Sequence, residues 1–237
     1  MTLTQQIINT LKSHQGTPEK QKILMGFFKT GPGEYGEGDQ FLGIPVPTTR
    51  AIAKTFVLVD LNTIHQLLLN EWHEVRLCAL LMLITRFKKL KNEQELIVKF
   101  YVDHARYINN WDLVDLSAPH IVGAYLLTSN DRSLLYELAE SDMLWKRRIA
   151  MVSTLTFIRH DQFQDTLALS KMLLNDKESL MHKATGWMLR EVGKRDEPVL
   201  TAFLESYARE LPRTALRYAI EHYPEEERKE WLKNSKS

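Results

Sequence analysis

Three stretches of the chain bring together residue types that could do chemistry. In Asn109-Asn110-Trp111-Asp112-Leu113-Val114-Asp115, a helix beginning near Trp111 carries Asp115 four residues on, over the same face as the indole. An indole beside a carboxylate is an unusual pair to offer to solvent. The alternative is that Trp111 anchors the core while Asp112 or Asp115 complements a helix N-terminus, and Asp112 suits that role better because it lies nearer the N-cap. In His182-Lys183-Ala184-Thr185-Gly186-Trp187-Met188-Leu189-Arg190 a second indole, Trp187, follows the Lys183 cation by four residues, and Gly186 leaves room for close approach. Lys146, Arg147, Arg148, Lys183, Arg190, Lys194 and Arg195 make up most of the basic charge of residues 146–195, which hold 10 basic and 5 acidic residues. Such a group could form a track for a polyanion, although any one of these cations is equally at home on a solvated helix surface.

Other chemistries find little support. The cluster Gly31-Pro32-Gly33-Glu34-Tyr35-Gly36-Glu37-Gly38-Asp39 is rich in glycine, but no Gly-Lys-Ser/Thr follows it and its three acids repel phosphate. Nucleotide hydrolysis is not expected. The eight histidines form no H-x3-H or H-E-x-x-H pair, so no metal site is expected, and they read as surface or capped positions. A lone Cys78 leaves no intrachain disulfide and no cysteine metal cluster. No G-x-S-x-G elbow is present.

These residues need a scaffold, and the pattern around them is helical. The 237 residues are 44% hydrophobic, enough for a sizeable core, and the formal charge is only +1. That balance excludes a uniformly basic coat but allows a local basic face. A helical pair is expected at about residues 4–13 and 18–29, then the Gly/Pro-rich loop to residue 46, then almost unbroken helix from 47 to 237 with no strand-length alternation. Val75, Leu77, Leu80, Leu81, Ile84 and Phe87 recur at helical spacing. So do Ile149, Val152, Ser153, Leu155, Thr156 and Ile158, whose small members allow close helix contact. Polar joints such as Asn175-Asp176-Lys177 and Arg195-Asp196-Glu197-Pro198 supply turns and N-caps. The start shows no signal-peptide layout, and no apolar run is long enough to span a bilayer, so a soluble cytoplasmic protein without membrane contact is expected.

Four helix starts share a basic residue followed two positions later by a small one: Arg76, Arg148, Lys183 and Arg213, spaced by 72, 35 and 30 residues. The gap of 72 is twice 36 and has its midpoint at Asp112. A period in the middle thirties with two helices per unit marks an all-α, curved α-solenoid of HEAT-like repeats, here a single domain over 1–237. An irregular helical bundle is the alternative. In a solenoid these helix-start cations should align along one concave surface.

The segments FKTGPGEYGEGDQFLGIPVPTTR, NNWDLVDLSAP, LWKRRIAMVS, HKATGWMLREVGK and PRTALRYAIE, in this order over nearly the whole chain, resemble the AlkD-type DNA alkylation repair family of HEAT-like-repeat DNA glycosylases. The resemblance implies a helical solenoid gripping duplex DNA that carries cationic N3- or N7-alkylated purines, with no metal and no organic or nucleotide cofactor. It implies excision of the damaged base in base excision repair, without a deep base-flipping pocket, by a protein expected to be a monomer. By that resemblance Trp111 and Trp187 are the active-site indoles, Asp115 the catalytic carboxylate and Arg148 the arginine at the lesion's backbone. Arg147, Lys183 and Arg190 are further DNA contacts. The family's N-terminal helix commonly supplies a Tyr, whose counterpart is Phe27, or Phe28, without the hydroxyl; the segment 30–39 is also longer than in the family's best-known glycosylase. Some relatives bind branched DNA without excising bases, which makes a non-catalytic DNA binder the alternative, and a protein-interaction solenoid is a third reading.

Overall fold

The structure, a computed structural model, describes residues 1–235. It is all-helical, with one isolated bridge between Gln40 and Trp72 and no strand among the described residues. No helix is long and apolar enough to cross a membrane. The chain divides into two compact units, residues 1–117 and 118–237.

The first unit opens with α1 (Leu3–Lys12) and α2 (Pro18–Phe27), each started by a threonine whose hydroxyl accepts a backbone N–H: Thr2 from Gln5 and Thr17 from Lys20. Pro18 at the first position of α2 lacks only an N–H that would be orphaned there anyway. After the Gly-rich segment come α3 (Val46–Thr55), α4 (Leu61–Leu68, capped by Asp60), α5 (His73–Lys89), α6 (Gln94–Asp103) and α7 (Trp111–Ser117). α5 is buried around its whole circumference from His73 to Ile84, as expected of a helix with others on every side; it packs against α3, α4, α6 and α7.

In the second unit, α8 (Val122–Leu126), α9 (Ser133–Ala139), α10 (Leu144–Ile158), α11 (Gln164–Met172), α12 (Ser179–Arg195), α13 (Glu197–Tyr207), α14 (Arg213–Ala219) and α15 (Glu225–Asn234) follow one another. α10 is the central helix, touching α8, α9, α11 and α12. Its small-residue face does bring a neighbour close. A Cβ on Gly123 would lie 2.4 Å from the Ser153 carbonyl oxygen, and the Ser153 and Thr156 hydroxyls donate to the carbonyls of Ala118 and Pro119 at 3.4 and 2.6 Å. Gly186 does the same for α12 on α14, where an added Cβ would meet the Ala215 carbonyl oxygen at 2.4 Å. Its role is thus helix packing. Asp196 caps α13 through the Val199 N–H, with Pro198 in the first turn.

A recurrent device holds helix starts to the segment before them. Arg76 Nη1 donates to the carbonyls of Asn70 and Glu71 at 2.9 and 3.1 Å, and Arg147 Nη1 to those of Ser141 and Asp142 at 2.8 Å each. Arg132 reaches the carbonyls of Leu126 and Leu127. Each guanidinium spans the same interval, six and five residues back, and each also binds a carboxylate, of Asp39, Asp176 or Asp165 respectively. The residue equivalent to Arg76 is therefore Arg147, one position earlier than the sequence spacing suggested. These helix-start arginines are turned inward by the bonds they make: Arg76 is only 5% exposed, and Arg213 donates to the Leu232 carbonyl and the Ser235 hydroxyl. Lys183, also among the four helix-start cations, is exposed.

Candidate functional site

Trp111 and Asp115 lie on α7, both partly buried, one helical turn apart as the spacing required. Seven residues of helix cannot hold two side chains in place by themselves, so α7 is pinned at both ends. At its start the buried Asn110 accepts the Trp111 N–H at 2.9 Å, and Asp112 Oδ2 pairs with Nε2 of His73 at 2.8 Å. At its end Tyr101 of α6 exchanges a hydrogen bond with the Ser117 hydroxyl at 2.7 Å. Burial, and less strongly the charge of Asp115, hold the Tyr101 phenol above its ordinary range, so it stays a neutral hydroxyl.

His73 is 2% exposed and clamped between two carboxylates, since its Nδ1 also meets Asp39 Oδ2 at 2.8 Å. Asp39 in turn binds Arg76 Nη2 at 2.5 Å. Burial opposes protonation of the imidazole, but the charge of Asp112, with its hydrogen bond and those of Asp39, outweighs it and pushes His73 up to about 9. Burial likewise opposes ionisation of Asp39, yet His73 and Arg76 together keep its carboxyl below the usual range. At neutral pH a protonated His73 thus lies between Asp112 and the Asp39 that Arg76 holds on its other side. The histidines read from the sequence as surface or capped positions thus include one at the heart of the first unit. The signal was not local: the partners lie 34, 37 and 39 residues apart along the chain.

Around the Trp111 indole stand aromatic side chains from the N-terminal segment. Phe28 stacks on it with ring centroids 5.4 Å apart, and Phe27, 61% exposed, meets it edge-on at 5.9 Å. Phe28 and Phe41 also sandwich close to His73. Phe27 has no hydroxyl, but a phenol stands beside the same indole: Trp111 Nε1–H donates to the Tyr35 oxygen at 3.2 Å. Tyr35 comes from the Gly-rich segment, whose acids behave differently from the sequence reading. Glu34 and Glu37 turn back to accept the N–H groups of Gly31 and Gly33 at 2.9 Å each, and Asp39 is buried in the charge chain. The segment's far end is held by Glu74, whose buried carboxylate accepts the N–H groups of Leu42, Gly43 and Ile44 at 2.8 to 3.1 Å.

In the second unit, Arg148 of α10 is 4% exposed and donates to the Leu180 carbonyl at 2.6 Å. On α12 Lys183 is exposed, Trp187 is partly buried and Arg190 pairs with Glu221 and Glu191. Arg147 is tied to Asp176 at 2.6 Å besides its two carbonyls.

The first unit thus carries an indole and a carboxylate on one short helix, and the second carries Trp187 and several cations on α10 and α12. The chain belongs to the DNA alkylation repair enzyme family, whose model matches residues 7–223. Membership implies DNA binding and suggests a role in the repair of alkylated DNA. A solved structure described as a predicted DNA alkylation repair enzyme from Enterococcus faecalis is similar, with a TM-score of 0.69 and 17% identity over 89% of this chain and 98% of that one. At that identity the likeness speaks for the fold. No match was found among curated proteins.

Proposed function

We propose that the protein is a DNA glycosylase that releases cationic N3- or N7-alkylated purines from duplex DNA. The observation that carries this reading is the helix α7, braced at both ends, with the Trp111 indole and the Asp115 carboxylate one turn apart in a chain of the DNA alkylation repair family. An alkylated purine bears positive charge on its ring and leaves readily once the N-glycosidic bond stretches. The barrier then lies in the oxocarbenium character that develops on the deoxyribose. A preorganised carboxylate at Asp115 supplies opposite charge there and orients the attacking water. The electron-rich faces of Trp111 and Trp187 favour a cationic sugar by quadrupole attraction. No step in this reading needs a cofactor.

Lys183 and Arg190 are proposed as phosphate contacts, with Arg148 at the phosphate beside the lesion, its fork already oriented by the Leu180 carbonyl. Arg147, whose guanidinium also holds one carboxylate and two carbonyls, is proposed as a further contact. Phe27, exposed at the edge of Trp111, adds apolar surface against DNA. The test is incubation with methylated duplex DNA and chromatography of the freed bases. Release of 7-methylguanine or 3-methyladenine supports the reading. Salt-sensitive DNA binding with no released base points instead to a non-excising binder.

A further inference from the structure

The Gly-rich segment places Tyr35 against the polar edge of Trp111, and we infer that Tyr35 is a positioning residue of the proposed site, fixing the orientation within its plane of the indole that meets the sugar. This inference rests on the function proposed above. An indole has a single polar atom, a donor, and when partly buried that donor needs an acceptor. The stacked Phe28 and the edge-on Phe27 restrain the ring's tilt, but ring contacts have little power to choose among rotations within the plane. The Nε1–H bond to the Tyr35 oxygen makes that choice. It also leaves the indole face, rather than its N–H, for a cation.

The segment is built to deliver this one side chain. Glu34 and Glu37 flank Tyr35 closely in sequence and close the loop on its own amides. Gly36, the next residue, donates its N–H to the Lys29 carbonyl at 3.0 Å and sits so tightly against the end of α2 that a Cβ would lie 2.5 Å from the Phe28 carbonyl oxygen. The same Cβ would approach the amide nitrogen of Asn110, the residue before Trp111, at 3.3 Å. Glycine is therefore required at this position by the closeness of the loop to the end of α2. Three residues on, Asp39 fastens the segment to His73 and Arg76.

The experiment uses the full chain with Tyr35→Phe, which keeps the ring and removes the hydroxyl that accepts the Trp111 N–H. In a 1H–15N spectrum the five tryptophan indoles give separate signals, and Trp111→Phe identifies the Trp111 one. Tyr35→Phe should move that signal upfield and leave the other four in place. Single-turnover base release should fall about five- to tenfold, as expected for one hydrogen bond, with duplex affinity within twofold of wild type. In the Trp111→Phe background, Tyr35→Phe should add no further loss, because the residue acts through the indole. Gly36→Ala, which displaces the same side chain from outside the site, should reproduce the shift. An unmoved indole signal, an unchanged release rate, or an equal loss in the Trp111→Phe background overturns the inference. If wild type releases no base, the proposed glycosylase activity fails. Tyr35 is then decided by affinity for duplex DNA carrying a cationic pyrrolidine in place of one deoxyribose: weaker binding by Tyr35→Phe supports its role, and equal binding refutes it.

Discussion

Removing the proton from His73 should weaken the fold within a defined pH window. Its folded value, about 9, stands above the ordinary 6.5, so the native state holds this proton more tightly than the unfolded chain does. The resulting stabilisation is complete below pH 6.5, declines as pH rises and is lost above about 9. A shift of this size corresponds to about 3 kcal/mol at ~1.4 kcal/mol per pH unit. That is a large share of the roughly 5–15 kcal/mol that stabilises a typical domain. The imidazole faces Asp39 and Asp112 at its two nitrogens, with Arg76 beyond Asp39 and the rings of Phe28 and Phe41 alongside. Cys78, buried on the same helix and pushed up to about 12, titrates outside the window. Urea unfolding of wild type and His73→Gln at intervals from pH 6 to 10 isolates the effect. The variant should be less stable by about 3–5 kcal/mol at pH 6, where it leaves buried carboxylates without their cation. The gap should close by about 3 kcal/mol toward pH 9.5. A gap that stays constant across the window would refute the assignment of a charged His73.

Two further outcomes test the packing and the DNA face. Gly186→Ala forces a Cβ to within 2.4 Å of the Ala215 carbonyl oxygen and 2.6 Å of Tyr218 Cβ, so α12 and α14 must part. It should cost about 1–3 kcal/mol and lower Tm by several degrees, measured by calorimetry; an unchanged Tm would contradict the close packing. Lys183→Ala should weaken DNA binding similarly on all sequences and reduce the slope of log affinity against log salt by about 1, and an unaltered slope would remove Lys183 from the phosphate contacts.

Local signals in the sequence proved dependable where the physics is local. The first two helices, expected at about 4–13 and 18–29, are Leu3–Lys12 and Pro18–Phe27, because caps and apolar spacing act within one or two turns. Asp196 caps its helix for the same reason. Trp111 and Asp115 could be placed on one helix face from spacing alone. The charge chain through His73 could not, since Asp39 and Asp112 come from segments on either side of α5 in sequence and meet only through tertiary packing. Nor could the acids of the Gly-rich segment be judged without coordinates: Glu34 and Glu37, though exposed, accept N–H groups of their own loop, and Asp39 is buried. The repeat spacing was misread by one residue because Arg147 and Arg148 are adjacent and only the carbonyls they reach tell them apart.

The role of Asp115 is most directly tested by the single-turnover rate of 7-methylguanine release from one defined duplex at saturating protein, wild type against Asp115→Asn. Loss of a preorganised charge aimed at the sugar should slow release by about 100-fold or more, with affinity for the undamaged duplex within threefold. Equal rates for the two proteins would contradict the assignment of Asp115 as the group that stabilises the sugar cation.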